Sequence, residues 1–403
     1  MEIKKENISY IGDSPIRGKI INWKKIHEYF KLLNVPKQYY QMDLPLDIAN
    51  LFVVFSERDA GKTTNVLIHS LIAYESYGVK TEWIRCKSEH IKPTNIGSMF
   101  DTIKNFNYIE MITNGKYRDI FYYRKEMFLC NREDGEKGRP KDCDDVPFIR
   151  FNSIDDMESI KSNYTSPNGD LIILDEFQAQ NHAPNEFNNF FHIISTIKRE
   201  RESVKIIMLG NTITPYNYYF REMDITKYIV EMKPHDKKLI RTNKGMNVFL
   251  EWFEKFSEND KYTEHQRQVD IQYFGFEGLN SIIGGAWDIK QYPHITKELD
   301  KSKIVLDEMY VIFGLFTLNL KLCYDKDFGN FVFVRPCARK YAEQSQKIVF
   351  IDRFPNKKNE IYGCGYHISK FRKFWALSKM GLFLYTTNDI GAMIDEFLNE
   401  FMK

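Results

Sequence analysis

Leu51–Thr64 reads LFVVFSERDAGKTT and is the strongest structural signal in the chain. Leu51, Phe52, Val53, Val54 and Phe55 form a short apolar run, the signature of a strand buried on both faces. A polar loop follows, and Gly61-Lys62-Thr63 then opens a run of helical period. Strand, loop and helix in that order carry the spacing of a phosphate-binding loop, G-x-x-x-x-G-K-[ST], with Ser56 where the first glycine usually stands. Such a loop aims backbone N–H groups and a helix N-terminus at phosphate oxygens, where the helix dipole favours negative charge. Gly61 permits close backbone approach, Lys62 reaches the β and γ phosphates, and the Thr63 hydroxyl ligates Mg²⁺. Ser56, Arg58, Ala60, Gly61, Lys62, Thr63 and Thr64 are therefore the candidate residues for ATP. A small polar residue at position 56 suffices if its φ is negative.

On the C-terminal side of this loop, Lys62–Tyr77 reads as a helix ended by Gly78, and Lys80–Arg85 as the next strand, a strand–helix–strand unit suited to a parallel sheet. Asp170–Gln178, DLIILDEFQ, is the second anchor. Leu171–Leu174 read as a buried strand ending in Asp175-Glu176, about 110 residues after the loop. An aspartate at such a strand end completes a Mg²⁺ site with Thr63. The glutamate after it can orient and deprotonate water. Residues 184–202 read as a helix running into Lys198-Arg199-Glu200-Arg201. A further buried strand, Val204–Leu209, is followed by Gly210-Asn211-Thr212. Ligands sit at the carboxyl ends of strands in open α/β sheets, so Asn211 is a candidate γ-phosphate sensor.

The remaining segments are less decisive. Residues 1–44 form an N-terminal extension with a helical face on Trp23, Ile26, Tyr29, Phe30 and Leu33. Tyr108–Ile112, Asp119–Tyr123 and Met127–Cys130 read as short strands, and 131–145 as a charged loop. Residues 233–262 read as a linker or lid containing an amphipathic helix on Val248, Phe249, Trp252, Phe253 and Phe256. The expected domains are thus 1–232, an ATPase domain, and 263–403, a smaller α+β domain. In the latter, Tyr310–Tyr324 and Phe331–Arg335 suggest a hairpin, with a third strand at Ile348–Ile351 and helices at Ser369–Met380 and Asn388–Met402.

Composition sets outer bounds. A chain of 403 residues with 43% hydrophobic and 28% charged content is ordinary globular usage with material for two domains. The net charge of +2 hides an asymmetry, because residues 331–380 hold eleven Lys or Arg against three Asp or Glu. Lys370, Arg372, Lys373 and Lys379 cluster there on one helix and are candidates for contact with a nucleic-acid backbone. The six cysteines form no C-x-x-C pair, which argues against zinc and for free thiols in a reducing compartment. No run of eighteen apolar residues and no signal-peptide pattern is present, so a cytoplasmic protein without membrane contact is expected.

Several of these motifs together resemble the DNA encapsidation ATPases of small protein-primed podophages. Lys161-Ser162-Asn163, Asp175-Glu176-Phe177, Pro184-Asn185-Glu186 and the spaced Arg199 and Arg201 carry the resemblance. Weaker similarity runs on through Gly314–Val334 and the two terminal helices. It implies an additional-strand P-loop ATPase with a parallel-rich central sheet, working in the host cytoplasm as a homo-oligomeric ring, a pentamer, on the portal of a prohead. The implied substrate is double-stranded DNA, and a structural packaging RNA is left open as a further partner. Carried over by position, Arg199 is an arginine finger entering the neighbouring subunit's site and Lys161 a second basic residue acting in trans. Spacing alone does not choose between Arg199 and Arg201, and Arg58 could act in cis. The resemblance also implies that the C-terminal domain is a degenerate RNase H-like nuclease. The sequence near Gly314 lacks the expected strand aspartate, and Asp325, Asp327 and Asp352 make a poor set of metal ligands. A terminase-type enzyme with an active nuclease, and a nucleic-acid-binding scaffold with a vestigial nucleotide site, are the competing readings.

Overall fold

The computed structural model describes residues 3–37, 39–57, 60–133, 138–156, 169–178, 185–211, 215–254, 268–269, 272, 292–293, 299, 303–327, 329–363 and 369–401. The chain divides into two compact units, one of Met1–Thr212 with Glu222–Ala286, the other of Ile213–Arg221 with Trp287–Lys403. The first unit contains α1 (Trp23–Leu32), β1 (Leu51–Ser56), α2 (Lys62–Tyr77), β2 (Thr81–Arg85), β3 (Asp119–Tyr123), β4 (Glu126–Asn131) and β5 (Ile149–Ser153). It continues with β6 (Leu171–Asp175), α3 (Glu186–Lys198), β7 (Lys205–Asn211), β8 (Lys237–Arg241) and β9 (Asn247–Trp252).

Among the described residues these strands form one sheet in the order β8-β9-β1-β7-β6-β2-β5-β4-β3, with Asp142–Cys143 pairing β4. The six strands from β9 to β5 are all mutually parallel. Antiparallel neighbours, β8 at one end and β4 and β3 at the other, close the edges. The strand order decides the class of site, because β7 lies between β1 and β6 rather than beyond them. All six residues of β1 are buried, as its apolar run requires, and each Val or Phe so placed contributes about 1.5–3 kcal/mol of transfer free energy. The helix α2 is buried along most of its length and ends at Gly78 in the left-handed region (φ 61°), whose N–H meets the carbonyls of Ala73 and Tyr74. On α1, Trp23, Ile26 and Phe30 face the same core, so the N-terminal extension belongs to the first unit's hydrophobic interior.

Two sequence expectations fail in this unit. Residues 247–252 form a strand, not a helix, and with Lys237–Arg241 they extend the central sheet where a linker or lid was expected. Val248 to Trp252 are all buried, with Phe249 beside Phe52 and Trp252 beside Phe55. A strand covered on both faces is apolar at consecutive positions, and a helical spacing can be picked out of such a run. Tyr108–Ile112 is a short helix, not a strand, with Tyr108, Ile109 and Ile112 buried and Glu110 and Met111 turned outward. Five residues are too few for periodicity to separate the two.

In the second unit, β10 (Ile304–Phe313), β11 (Phe316–Asp325) and β12 (Gly329–Pro336) form an antiparallel meander. Two strands therefore occupy Ile304–Asp325, joined by a two-residue turn at Gly314-Leu315 in which Gly314 takes φ 56°. After a short helix at Arg339–Gln344 follow β13 (Val349–Ile351), β14 (Glu360–Tyr362), α4 (Ser369–Lys379), β15 (Phe383–Tyr385) and α5 (Asn388–Phe401). The sheet order is β14-β13-β10-β11-β12-β15. Phe371 and Phe374 of α4 and Ile394 and Phe397 of α5 pack on its core. Among the described residues no helix is long and apolar enough to cross a membrane, and Cys86, Cys130, Cys143, Cys323 and Cys337 are free thiols.

Candidate active site

Parallel strands bring their carboxyl ends to one edge of the sheet, and four of them assemble the site. Ser56 ends β1, Asn211 ends β7, Asp175 ends β6 and Arg85 ends β2. Ser56 is buried with a negative φ, and its hydroxyl donates to the Glu57 carbonyl at 2.7 Å. Gly61 precedes α2 at φ 78°, a conformation in which a side chain is strained. A Cβ at Gly61 would also lie 3.0 Å from Cβ of Tyr39. Arg58 lies outside the described residues. Ala60 is buried and Thr64 half-buried in the first turn of α2.

Lys62 is 7% exposed and surrounded by oxygen acceptors. Its ammonium donates to the Ser56 hydroxyl, to the Glu57 carbonyl at 3.1 Å and to Oδ1 of Asn211 at 3.3 Å. The two oxygens of Asp175 divide their partners. Oδ1 accepts from the Thr63 hydroxyl at 3.2 Å, while Oδ2 accepts from Trp83 Nε1 at 3.3 Å and Arg85 Nη2 at 2.6 Å. The second carboxylate, Glu176, stands at φ 57° with its side chain half exposed. A non-glycine residue there costs on the order of 1–3 kcal/mol and is retained where surrounding structure over-determines it. Its Oε2 accepts from Arg85 Nη1 at 3.2 Å.

Arg85 is the residue that the sequence reading passed over. Burial pulls its guanidinium down, but the facing charges of Asp175 and Glu176 outweigh that and leave its pKa raised. A signal was available: Arg85 ends a strand of the parallel set, where ligand groups gather. The Tyr39-Tyr40 pair was also missed. Tyr40 N–H donates to the Ala60 carbonyl at 2.8 Å, and the Tyr40 carbonyl accepts from the Asn65 amide. Its phenol, wholly buried, donates to Glu251 Oε2 at 2.9 Å. Burial and the Glu251 charge hold that phenol's pKa well above the usual value. Glu251 in turn meets Lys237 at 3.0 Å. These bonds brace the phosphate loop from a segment whose sequence shows no motif.

The two arginines that spacing could not separate differ sharply here. Arg201 is 4% exposed, its guanidinium spent on Asp170 Oδ1 at 3.4 Å and the Ile197 carbonyl at 2.5 Å. Arg199 is exposed at the end of α3, on a backbone corner of φ 45° and ψ −118°. Lys161 lies outside the described residues. On α4, Arg372, Lys373 and Lys379 are exposed, with Lys379 Nζ 4.3 Å from the Trp375 ring centroid. The Lys370 side chain lies outside the described set.

In the second unit the carboxylates do not meet. Asp352, after β13, accepts from the Gly314 N–H beside the end of β10. Asp325, at the far end of β11, is paired with Lys303 and accepts from the Asp327 N–H at 2.8 Å.

Strand order and site together define the class: an additional-strand P-loop ATPase fold, with one strand interposed between the phosphate-loop strand and the Asp-Glu strand. The chain is similar to the DNA packaging proteins of Bacillus phages PZA and phi29, 28% identical to each over 164 residues. That match covers 39% of this chain and spans 45%, less than half, of each relative's length. The fold is similar to the solved DNA packaging motor of phage Phi-28, with a TM-score of 0.51, 17% identity and coverage of 88% of this chain and 95% of that one. A solved genome packaging motor assembly of phage phi29 also has a TM-score of 0.51, at 18% identity, covering 90% of this chain and 99% of that one. No family model matches the chain.

Proposed function

We propose that this chain is the ATP-hydrolysing subunit of a motor that drives double-stranded DNA into a phage prohead. The observation that carries its ATP-hydrolysing part is the convergence of Lys62, Thr63, Asp175, Glu176 and Asn211 at the carboxyl ends of β1, β7 and β6, and its DNA-packaging part is supported by the similarity to the DNA packaging proteins of phages PZA and phi29. A vestigial site would have no reason to keep all five side chains there.

The donor set fits Mg²⁺. Thr63 Oγ1 and Asp175 Oδ1 are hard oxygen atoms 3.2 Å apart, and the other Asp175 oxygen is turned away to Arg85 and Trp83. When bound, the ion neutralises charge on the β and γ phosphate oxygens. Gly61 and the start of α2 supply backbone N–H groups to the phosphates, and Lys62 supplies the positive charge. Glu176 accepts the proton of the attacking water, and Asn211 orients the γ-phosphate from the interposed strand. Arg199 stabilises charge on the transferring phosphoryl group of a neighbouring subunit. Its exposure supports that role over Arg201, which is buried within its own subunit. Lys161 is proposed as a second residue in trans.

The same reading assigns a homo-oligomeric ring, a pentamer, on the portal vertex in the host cytoplasm, with a packaging RNA as an open partner. The basic helix α4, with Lys370, Arg372, Lys373 and Lys379, is the proposed polyanion surface. An active nuclease is disfavoured, because Asp325 and Asp352 each have partners of their own at opposite ends of β11. ATP turnover with DNA, measured with and without proheads, tests the proposal: strong stimulation by both supports it, and turnover indifferent to DNA refutes it.

A further inference from the structure

The N-terminal segment carries no motif, yet it is tied to both ends of the machinery just described. Ser9–Tyr10 pairs antiparallel with Lys19–Ile20, making residues 9–20 a small hairpin arm. At one side the arm is fastened to the end of α2, the phosphate-loop helix. Lys19 Nζ of the arm donates to the Gly78 carbonyl and, at 3.1 Å, to Asp170 Oδ2, and just before the arm Glu6 N–H donates to the Ser76 carbonyl at 2.8 Å. At the other side it grips the chain that leaves Arg199. Glu202 N–H donates to the Arg17 carbonyl at 2.9 Å, and Arg17 pairs with the Glu202 carboxylate at 2.8 Å. Gly18, at φ 105°, lies so close to Ser203 that a Cβ would come 2.2 Å from its hydroxyl oxygen.

Asp170 joins the two sides. It begins the segment leading into β6, its Oδ2 takes Lys19, and its Oδ1 takes Arg201, two residues beyond Arg199. The Arg199 corner is thereby held by Arg201 N–H to the Lys198 carbonyl at 2.9 Å within its own turn, and by the arm just after it.

We infer that residues 17–19 are a strap that positions Arg199 for its neighbour's site and fastens that corner to the end of the phosphate-loop helix. This deepens the reading of Arg199 as a residue acting in trans and rests on it. Arg17, Gly18 and Lys19 are positioning residues, because none of them ends a strand at the phosphate loop. A strained, exposed corner needs such bracing: a small displacement of a charge-stabilising group removes much of its effect on the reaction.

The test uses the full chain on proheads with DNA and reads kcat, KM for ATP, nucleotide affinity of the unassembled subunit, and Tm. Gly18→Ala drives the arm away from Ser203 and should lower kcat about tenfold while leaving nucleotide affinity within about twofold. Adding Ser203→Gly removes the clash and should recover part of the loss. Arg17→Glu and Glu202→Arg change half-exposed side chains, where substitutions usually shift stability little. Singly, each should lower kcat about threefold, and together they should restore it. This pair decides the matter if Gly18→Ala does not fold. Arg199→Ala is run in parallel. Wild-type turnover in Arg199→Ala removes the trans reading itself. Loss in Arg199→Ala beside wild-type kcat in the arm variants overturns the strap alone. A fall in kcat that merely tracks lower Tm and weaker nucleotide binding, without rescue by the charge swap, also overturns it.

Discussion

In the first unit β1, β7, β6 and β2 run parallel, so residues at their carboxyl ends meet at one edge of the sheet. In the second unit β10, β11 and β12 run antiparallel, and strand ends alternate between the two edges. Asp325 and Asp352 consequently stand a strand's length apart, about 30 Å at ~3.3 Å per residue, whereas Asp175 and Glu176 share one guanidinium. Both units place acids at strand ends. Only the parallel arrangement gathers them, and a two-metal nuclease needs its ions about 3.5–4 Å apart.

The largest expected effect belongs to Glu176, one of the two gathered acids. Glu176→Gln keeps the shape but cannot accept a proton, so hydrolysis should fall at least about a hundredfold with nucleotide binding retained. Lys62→Ala should instead weaken binding itself. Unimpaired turnover in Glu176→Gln would mean that the gathered acids are not the reacting ones.

Next in size is the loss of the shared cation. Arg85→Met leaves Asp175, whose side chain is 2% exposed, without its closest charge partner. Removing one member of a buried pair costs about 3–5 kcal/mol, which denaturant unfolding can measure. In the second unit Asp352→Asn still accepts from the Gly314 N–H and should change neither unfolding nor ATP turnover measurably.

A third effect is confined to acid and is small near neutral pH. His69 on α2 is buried against Phe30, with ring centroids 4.1 Å apart, and its Nδ1 meets the Asn65 carbonyl at 3.1 Å. Burial lowers its pKa to about 3. The unfolded chain takes up this proton near pH 6.5 and the folded chain does not. Stability is therefore full above pH 6.5 and declines as pH falls from there toward 3, by up to about 1.4 kcal/mol per pH unit. His69→Phe should flatten that part of the stability–pH curve, and an unchanged slope would exclude His69 as the source.

The mildest prediction belongs to α4 in the second unit. Neutralising Lys370, Arg372, Lys373 and Lys379 should reduce the slope of log affinity against log salt by up to about one per lost phosphate contact. Turnover without nucleic acid should be unaltered. An unchanged slope would leave α4 a solvated face.

Much of the first unit was legible because its signals are local. Five apolar residues before a polar loop and GKT, or four before Asp-Glu, report strand, turn and helix within a dozen positions, and Gly78 marks the end of α2 by a backbone requirement that glycine meets. A short or uninterrupted apolar run, as at Tyr108–Ile112 and Asn247–Trp252, fits both the helical and the strand period, and only packing separates them.

Local pattern therefore identified the chemical groups: a lysine and threonine at a helix start, paired carboxylates at a strand end, an asparagine at another. Their pairing was decided only in three dimensions. Strand order put β7 between β1 and β6, which brings Asn211 to Lys62 across 149 residues. The same folding buried Arg201 and exposed Arg199, gave Arg85 to Asp175 and Glu176, and laid Arg17–Lys19 against residues 202–203. Contacts of this kind join groups far apart in the chain through packing and charge, and no local period or spacing encodes them.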